Sequence, residues 1–180
     1  MAKRKFKTKL TVSGIEQLKQ QLLQYKNVEL PNKCRELAQR LMELGVTVAS
    51  AKISESPLGK YITLKTDIDP NKMGCKAVLI AIGEVKESED YEPFNILLAV
   101  EFGAGIRYNQ TANPLSDKFG YGVGTFPNQV HAFKNEGWFY WDENAQEWRH
   151  SYGVKATMPM YNASVEIIRS VDKIAREVFG

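Results

Sequence analysis

Four carboxylates crowd three tryptophans in one short stretch: Glu136, Asp142, Glu143 and Glu147 surround Trp138, Trp141 and Trp148. Paired acids beside an aromatic platform are what a glycoside hydrolase uses: one carboxylic acid protonates the leaving oxygen, and a second carboxylate serves as base or nucleophile. The same residues suit a surface that holds sugar or peptide without reacting, because exposed aromatic patches mark binding. The plainer alternative is a hairpin whose turn acids are solvated and whose aromatics pack the sheet.

Other chemistry is thinner. Asp67, Asp69 and Asn71 have the spacing that opens an EF-hand calcium loop, but the required glycine and the bidentate glutamate are replaced by Lys72 and Val78. A turn accounts for that stretch better. His131 and His150 share no metal-ligand spacing with each other or with a cysteine. The Gly-rich GYGVGTF lacks the Lys-Ser/Thr and the following helix that a phosphate cradle needs. No Gly-x-Ser-x-Gly elbow occurs, and Cys34 and Cys75 read as free thiols. The expectation is no catalytic residue, no metal and no cofactor.

Composition agrees with a non-membrane globular chain. Of 180 residues, 43% are hydrophobic and 25% charged, enough to bury a sizeable core in a single domain, 1–180. No apolar run approaches the ~18 residues that a membrane span takes. The basic start, MAKRKFKTKL, lacks the apolar centre of a secretory signal. A net charge of +3 is too small by itself to argue for nucleic acid.

The elements that must position these residues follow from periodicity. Phe6, Thr8, Leu10 and Val12 alternate with Lys5, Lys7, Lys9 and Thr11, which predicts a half-buried strand with a lysine-rich wet face. Together with Lys3 and Arg4 these lysines are also phosphate-compatible, although edge lysines commonly serve to discourage aggregation. Ser13 and Glu16 have capping-box spacing ahead of a helical stripe, Ile15, Leu18, Leu22 and Tyr25. Pro31 opens a second helix with Cys34, Leu37, Ala38, Leu41, Leu44 and Val48 on one face, and Gly45 marks a kink or an early end. Strands are predicted at YITLKTDI, with Ile62, Leu64 and Ile68 on one side, and at KAVLIAIG, a central strand or one covered on both faces. A third is predicted at FNILLAVEF. An acidic connection with Glu84, Glu87, Glu89, Asp90 and Glu92 separates the last two.

Residues 103–136 have no sustained period, and loops of that length are usually functional or disordered. The tryptophan stretch reads as a hairpin with Trp138 and Tyr140 on one face, Phe139 and Trp141 on the other, and a turn at Glu143 to Gln146. A long C-terminal helix starts at Pro159, with a stripe of Tyr161, Ser164, Ile168, Val171, Ala175 and Val178 broadened by Ile167, Ile174 and Phe179. The fold class is therefore α+β: a largely antiparallel sheet carrying N-terminal helices and a long C-terminal helix, plus a long Gly-rich loop.

The ordered combination AVEFGAG, GWFYW and HSYGVKATMPMYNA, leading into a terminal helix, resembles the gene-product-ten-like tail component family of long-tailed bacteriophages, also described as tail completion or head–tail joining proteins. The matching positions are Val100, Glu101, Phe102, Gly103 and Gly105, then Gly137, Trp138 and Tyr140, then Gly153, Ala156, Pro159, Met160 and Ala163. The resemblance implies a non-enzymatic virion protein built as a small α+β domain, made in the host cytoplasm and resident in the tail or neck. It implies a ring of identical subunits, usually six, between the tail tube or tail terminator protein and the head connector or head completion protein. DNA in the lumen is a further expected contact, and a membrane is not.

A ring needs head-to-tail interfaces in which one patch meets a different one. The sequence offers two patches of opposite sign, the basic Lys5, Lys7 and Lys9 and the acidic Glu87, Glu89 and Asp90. Phe102, Gly103 and Gly105, and the aromatic Trp138 and Trp141, are further interface candidates. The long loop is expected to order on assembly, using Gly103, Gly105, Gly120, Gly122 and Gly124 for its backbone conformations.

Overall fold

The computed structural model describes residues 6–71, 74–87, 93–105, 113–116, 118, 136–142 and 145–180. Several sequence expectations lie outside these residues: those on Lys3, Arg4, Lys5, Lys72, Glu89, Asp90, Glu92, Gly120, Gly122, Gly124, His131 and Glu143, and most of the 103–136 loop. Helices and antiparallel strands are mixed as an α+β fold. In place of one continuous sheet, the described strands form three two-stranded pairs. The chain clusters into two compact units. One comprises Met1–Gly45, Thr66–Leu79 and Glu166–Gly180; the other comprises Val46–Lys65 and Ile80–Val165.

The first unit begins with a correction. Residues 6–9 form no strand, and Leu10 and Val12 are almost fully exposed. The chain instead turns into helix α1, Val12–Gln24, capped by the Thr11 side chain, which accepts the Gly14 N–H at 3.1 Å. The cap thus falls two residues before the predicted Ser13. Period-two patterning pays nothing without a partner strand, whereas a capping hydroxyl satisfies an orphan donor locally.

The helical path from α1 does not break before Pro31. A π-helical turn, Tyr25–Glu29, joins it to α2, Leu30–Ser54. The Leu30 N–H bonds the Tyr25 carbonyl, five residues back. A proline inside a helix has no N–H to give and crowds the carbonyl four residues earlier. Widening the helix by one residue just before Pro31 relieves both defects, so the proline bends the hydrogen-bond register where the sequence suggested a helix start.

α2 runs through Gly45 without a break. A Cβ there would lie 2.8 Å from Ile167 Cδ1 and 3.1 Å from Leu79 Cδ2. Glycine lets the helix, strand β2 (Gly74–Gly83) and helix α4 (Pro159–Phe179) approach closely. Along α4, Ala163 and Val178 are buried, Tyr161, Val165, Ile167, Ser170, Ile174 and Ala175 are partly covered, and Ile168 and Val171 face outward. The helix is as predicted, but its broad apolar arc is turned, because periodicity locates an arc and not which part of it meets a neighbour.

Strand β1, Ile62–Asn71, pairs with β2. Ile62, Leu64 and Ile68 are its less exposed side chains, as predicted. Asp67, Asp69 and Asn71 lie within this strand and not in a turn. Among the described residues β2 has one partner, and Ile80 and Ile82 are exposed, so there it stands at an edge with one face partly open.

In the second unit, FNILLAVEF is not a strand. Phe94–Asn95 is a two-residue strand, β4, paired antiparallel with β3, Val85–Lys86. Asn95 then caps helix α3, Ile96–Phe102, by accepting the Leu98 N–H at 3.1 Å. A short apolar run reads the same way as a buried helix or a buried strand; the capping asparagine decides it. α3 is buried through most of its length, and Ile96 and Val100 form a core with Ile53 and Ile62.

Candidate functional site

The EFGAG stretch ends α3 and turns sharply. Gly103 caps the helix with φ of +83°, and Gly105 has φ of +88°. Between them, Ala104 and Val154 exchange both backbone hydrogen bonds at 2.8 Å. A Cβ on Gly103 would come within 3.3 Å of the Ala156 nitrogen, and one on Gly105 within 2.8 Å of the Tyr152 carbonyl and 3.3 Å of Trp138. Gly153 is tighter still, since its Cβ would overlap the Ala104 carbonyl. Phe102, Gly103 and Gly105 are buried within the unit. Glycine here permits close backbone approach inside the unit.

Glu101 organises the same junction. It is buried, and it reaches the start of α4. One carboxylate oxygen accepts the Met160 N–H at 2.9 Å, and the other accepts the Tyr161 N–H at 3.0 Å and the Asn113 side-chain amide at 2.8 Å. Pro159 opens α4, as predicted, and has no N–H to satisfy. The next two orphan donors therefore receive their acceptor from α3, in line with the positive end of the helix dipole. Burial pushes the Glu101 carboxyl above its ordinary value, opposed by the three N–H donors.

Asn113 is buried beside it and also accepts the Leu115 N–H at 2.9 Å, holding the 113–116 turn. In the sequence Glu101 stands inside the strand predicted at FNILLAVEF, and Asn113 in the aperiodic 103–136 stretch. A lone acid closing an apolar run just before glycine was the available signal for Glu101; Asn113 carried none.

The aromatic hairpin forms as predicted. Strands β5, Trp138–Asp142, and β6, Glu147–Ser151, pair in register with Phe139 opposite His150 and Trp141 opposite Trp148. Directly opposed side chains share a face. One face therefore carries Phe139, Trp141, Trp148 and His150. Trp141 and Trp148 meet edge to face at 5.7 Å, and His150 packs between Phe139 at 4.7 Å and Tyr152 at 4.5 Å. This face is open: Phe139 is 68% and Trp148 67% exposed. Trp138 lies on the other face, half-buried against Gly105.

The carboxylates do not stand as a free pair. Asp142 and Glu147 are opposite each other in register, and Arg149 bonds both, at 3.1 and 3.0 Å. Glu136 is exposed. Among the described residues no three His, Cys, Asp or Glu side chains come together as a metal site, and no helix is long and apolar enough to cross a membrane.

Of the charged patches, Lys7 and Lys9 are exposed in the irregular segment before α1, and Glu87 is exposed just after β3. The lysines do not share a strand face, since no strand forms there. No family model, curated protein or solved structure matches the chain.

Proposed function

We propose that this chain is a structural virion protein of a long-tailed bacteriophage, acting in tail completion or head–tail joining. In that role it forms a ring with copies of itself, probing the tail tube or tail terminator on one side and the head connector or head completion protein on the other. The observation that carries this reading is the convergence of the resembling residues. Glu101 bonds Met160, Gly103 abuts Ala156, and Gly105 abuts Gly153 and Trp138. Segments roughly thirty to sixty residues apart in sequence thus make one feature, so the three short motifs count as a single coupled signature. The buried Glu101 carboxylate, engaged by backbone donors within its own unit, supports a structural role for this residue.

The exposed hairpin face supplies an apolar, aromatic docking surface of the kind enriched at protein interfaces. Lys7 and Lys9 against Glu87 remain the candidate pair for setting register between subunits, where complementary charge steers more than it binds. Reversing either set should lose the ring and reversing both should restore it.

Electron microscopy and light scattering of the purified chain, alone and with tail tubes, test the assignment. Rings that seat on tube ends are expected. A solitary subunit that ignores tubes and connectors at high concentration defeats it. The exposure of Phe139 and Trp148 favours one second reading, a small sugar- or peptide-binding module. A monomer with saccharide affinity on a glycan array would support that instead. A glycoside hydrolase is the remote alternative, and it requires turnover that Glu136→Gln abolishes with the fold intact.

A further inference from the structure

In the second unit, the end of α2 and the start of β1 enclose a cleft. Val46, Ser50, Ile53 and Ser54 recur every three or four residues and share one side of the helix. The Ser56 N–H then bonds the Ile53 carbonyl at 3.0 Å and the Gly59 N–H bonds the Ser56 carbonyl at 2.9 Å, folding the chain back. Gly59 lies so close to the helix end that a Cβ would overlap the Ile53 carbonyl. A short 3-10 turn, Gly59–Tyr61, leads into β1 with Ile62 and Leu64. The space bounded by these residues measures about 490 Å³. Its floor is apolar and held from behind: Ile53 and Ile62 are buried with Ile96 and Val100, and Leu64 packs against them. Its rim carries Ser50, Ser54 and Lys60, and no acid lines it. The Lys60 ammonium sits 4.8 Å from the centre of the Tyr61 ring, and that of Lys86 sits 4.9 Å from the same centre. Lys86 has Glu84 at 3.6 Å, whereas Lys60 meets no carboxylate among the described residues.

We infer that this cleft binds a small amphiphilic carboxylate, with its acyl chain on Ile53, Ile62 and Leu64 and its head at Lys60 and Ser50. The volume lies in the range of about 300–1,000 Å³ that small-molecule sites occupy, and an apolar lining with a few convergent polar groups is their usual make-up. Charge selects the head. Ser54 spends its hydroxyl proton on the Ala51 carbonyl at 2.7 Å, which leaves the Ser50 hydroxyl and the Lys60 ammonium as side-chain donors. Two donors, one of them cationic and lacking a carboxylate, suit an anion, and a cationic head would meet Lys60 and Lys86 with nothing to offset them. A peptide suits the cleft less well. It needs main-chain partners, and the helical wall at Val46 and Ser50 has its N–H groups spent within α2. This site rests on the second unit alone and requires nothing of the virion assignment.

The probe is decanoate, titrated below micelle formation into the full chain with labelled methyl groups. Decanol and decyltrimethylammonium, of the same chain length, are the controls. Decanoate should shift the methyl resonances of Ile53, Ile62 and Leu64 and bind more tightly than either control. Lys60→Met should weaken decanoate by about tenfold and leave decanol unchanged, while Lys60→Arg keeps the preference. Ser50→Phe places a ring in the cleft and should lose both ligands. Unchanged circular dichroism is expected for all three variants, since Ser50 and Lys60 are exposed. Absence of any response to decanoate overturns the inference, as does equal binding of decyltrimethylammonium or indifference to Lys60→Met. Shifts confined to the hairpin aromatics would place the ligand elsewhere and defeat it too. The same methyl shifts produced by raising protein concentration alone would show a second copy filling the cleft. Capture by phosphatidylglycerol vesicles without a response to decanoate would assign it to a membrane surface, and either result overturns the proposal.

Discussion

The carboxylate of Glu101 accepts the backbone N–H of Met160 at 2.9 Å, so the last turn of α3 caps the first turn of α4. The two residues are far apart in sequence, and the residue just before α4, Met158 with a left-handed φ of +53°, has no side-chain oxygen to cap the helix locally. Glu101→Gln keeps the shape but turns one acceptor into an NH2 group facing a backbone donor. It should cost about 1–3 kcal/mol of unfolding free energy, measured by urea denaturation. An unchanged midpoint would mean that water caps α4 as well as the carboxylate does.

The pH dependence of the same residue has a definite sign. Burial raises the Glu101 carboxyl above its ordinary value despite its three N–H donors. Such a group binds protons more readily folded than unfolded. Its stabilisation is complete below the unfolded value and is lost as pH rises through the folded one. The stability of the parent relative to Glu101→Gln should therefore fall as pH climbs out of the ordinary carboxylate range. A rise over that window would show the hydrogen bonds outweighing burial.

Gly153 has φ of +117°, and any Cβ there overlaps the Ala104 carbonyl, which itself accepts the Val154 N–H at 2.8 Å. Gly153→Ala must break that bridge as well as strain the backbone. A loss of about 3 kcal/mol or more is expected, visible as a lowered melting temperature. A fully stable variant would show that the junction can shift its backbone freely.

The two faces of the hairpin should separate stability from docking. Trp148→Ala removes an exposed ring whose edge-to-face contact with Trp141 is worth about 0.5–1.5 kcal/mol beyond its area. It should leave the melting temperature near that of the parent while abolishing association with tail tubes. Trp138→Ala, on the half-buried face, should instead lower the melting temperature by several degrees. Docking lost only in the Trp138 variant would place the contact surface on the opposite face.

Pro31 sits just after the π-helical turn that joins α1 to α2. Pro31→Ala supplies the missing N–H and removes the ring that the widened turn accommodates. A gain of about 1 kcal/mol in thermal stability is expected, part of the helix-interior penalty of proline. A loss would mean that the π turn is held by packing and that proline merely tolerates it.

The amino-acid sequence by itself determined the elements with unbroken periodicity and local punctuation. The stripe of α2, the strands β1 and β2, the tryptophan hairpin and the start of α4 at Pro159 could all be read directly, because spacing and turn residues act over a few positions. The tertiary structure alone decided three other things. Residues 6–9 take no strand conformation and Val12 enters α1, and α3 is a helix because Asn95 caps it and its neighbours bury it. Glu101, finally, becomes a cap only when α4 arrives some sixty residues later. Periodicity specifies that a face is apolar, while the identity of what covers that face is a long-range fact that no local spacing encodes.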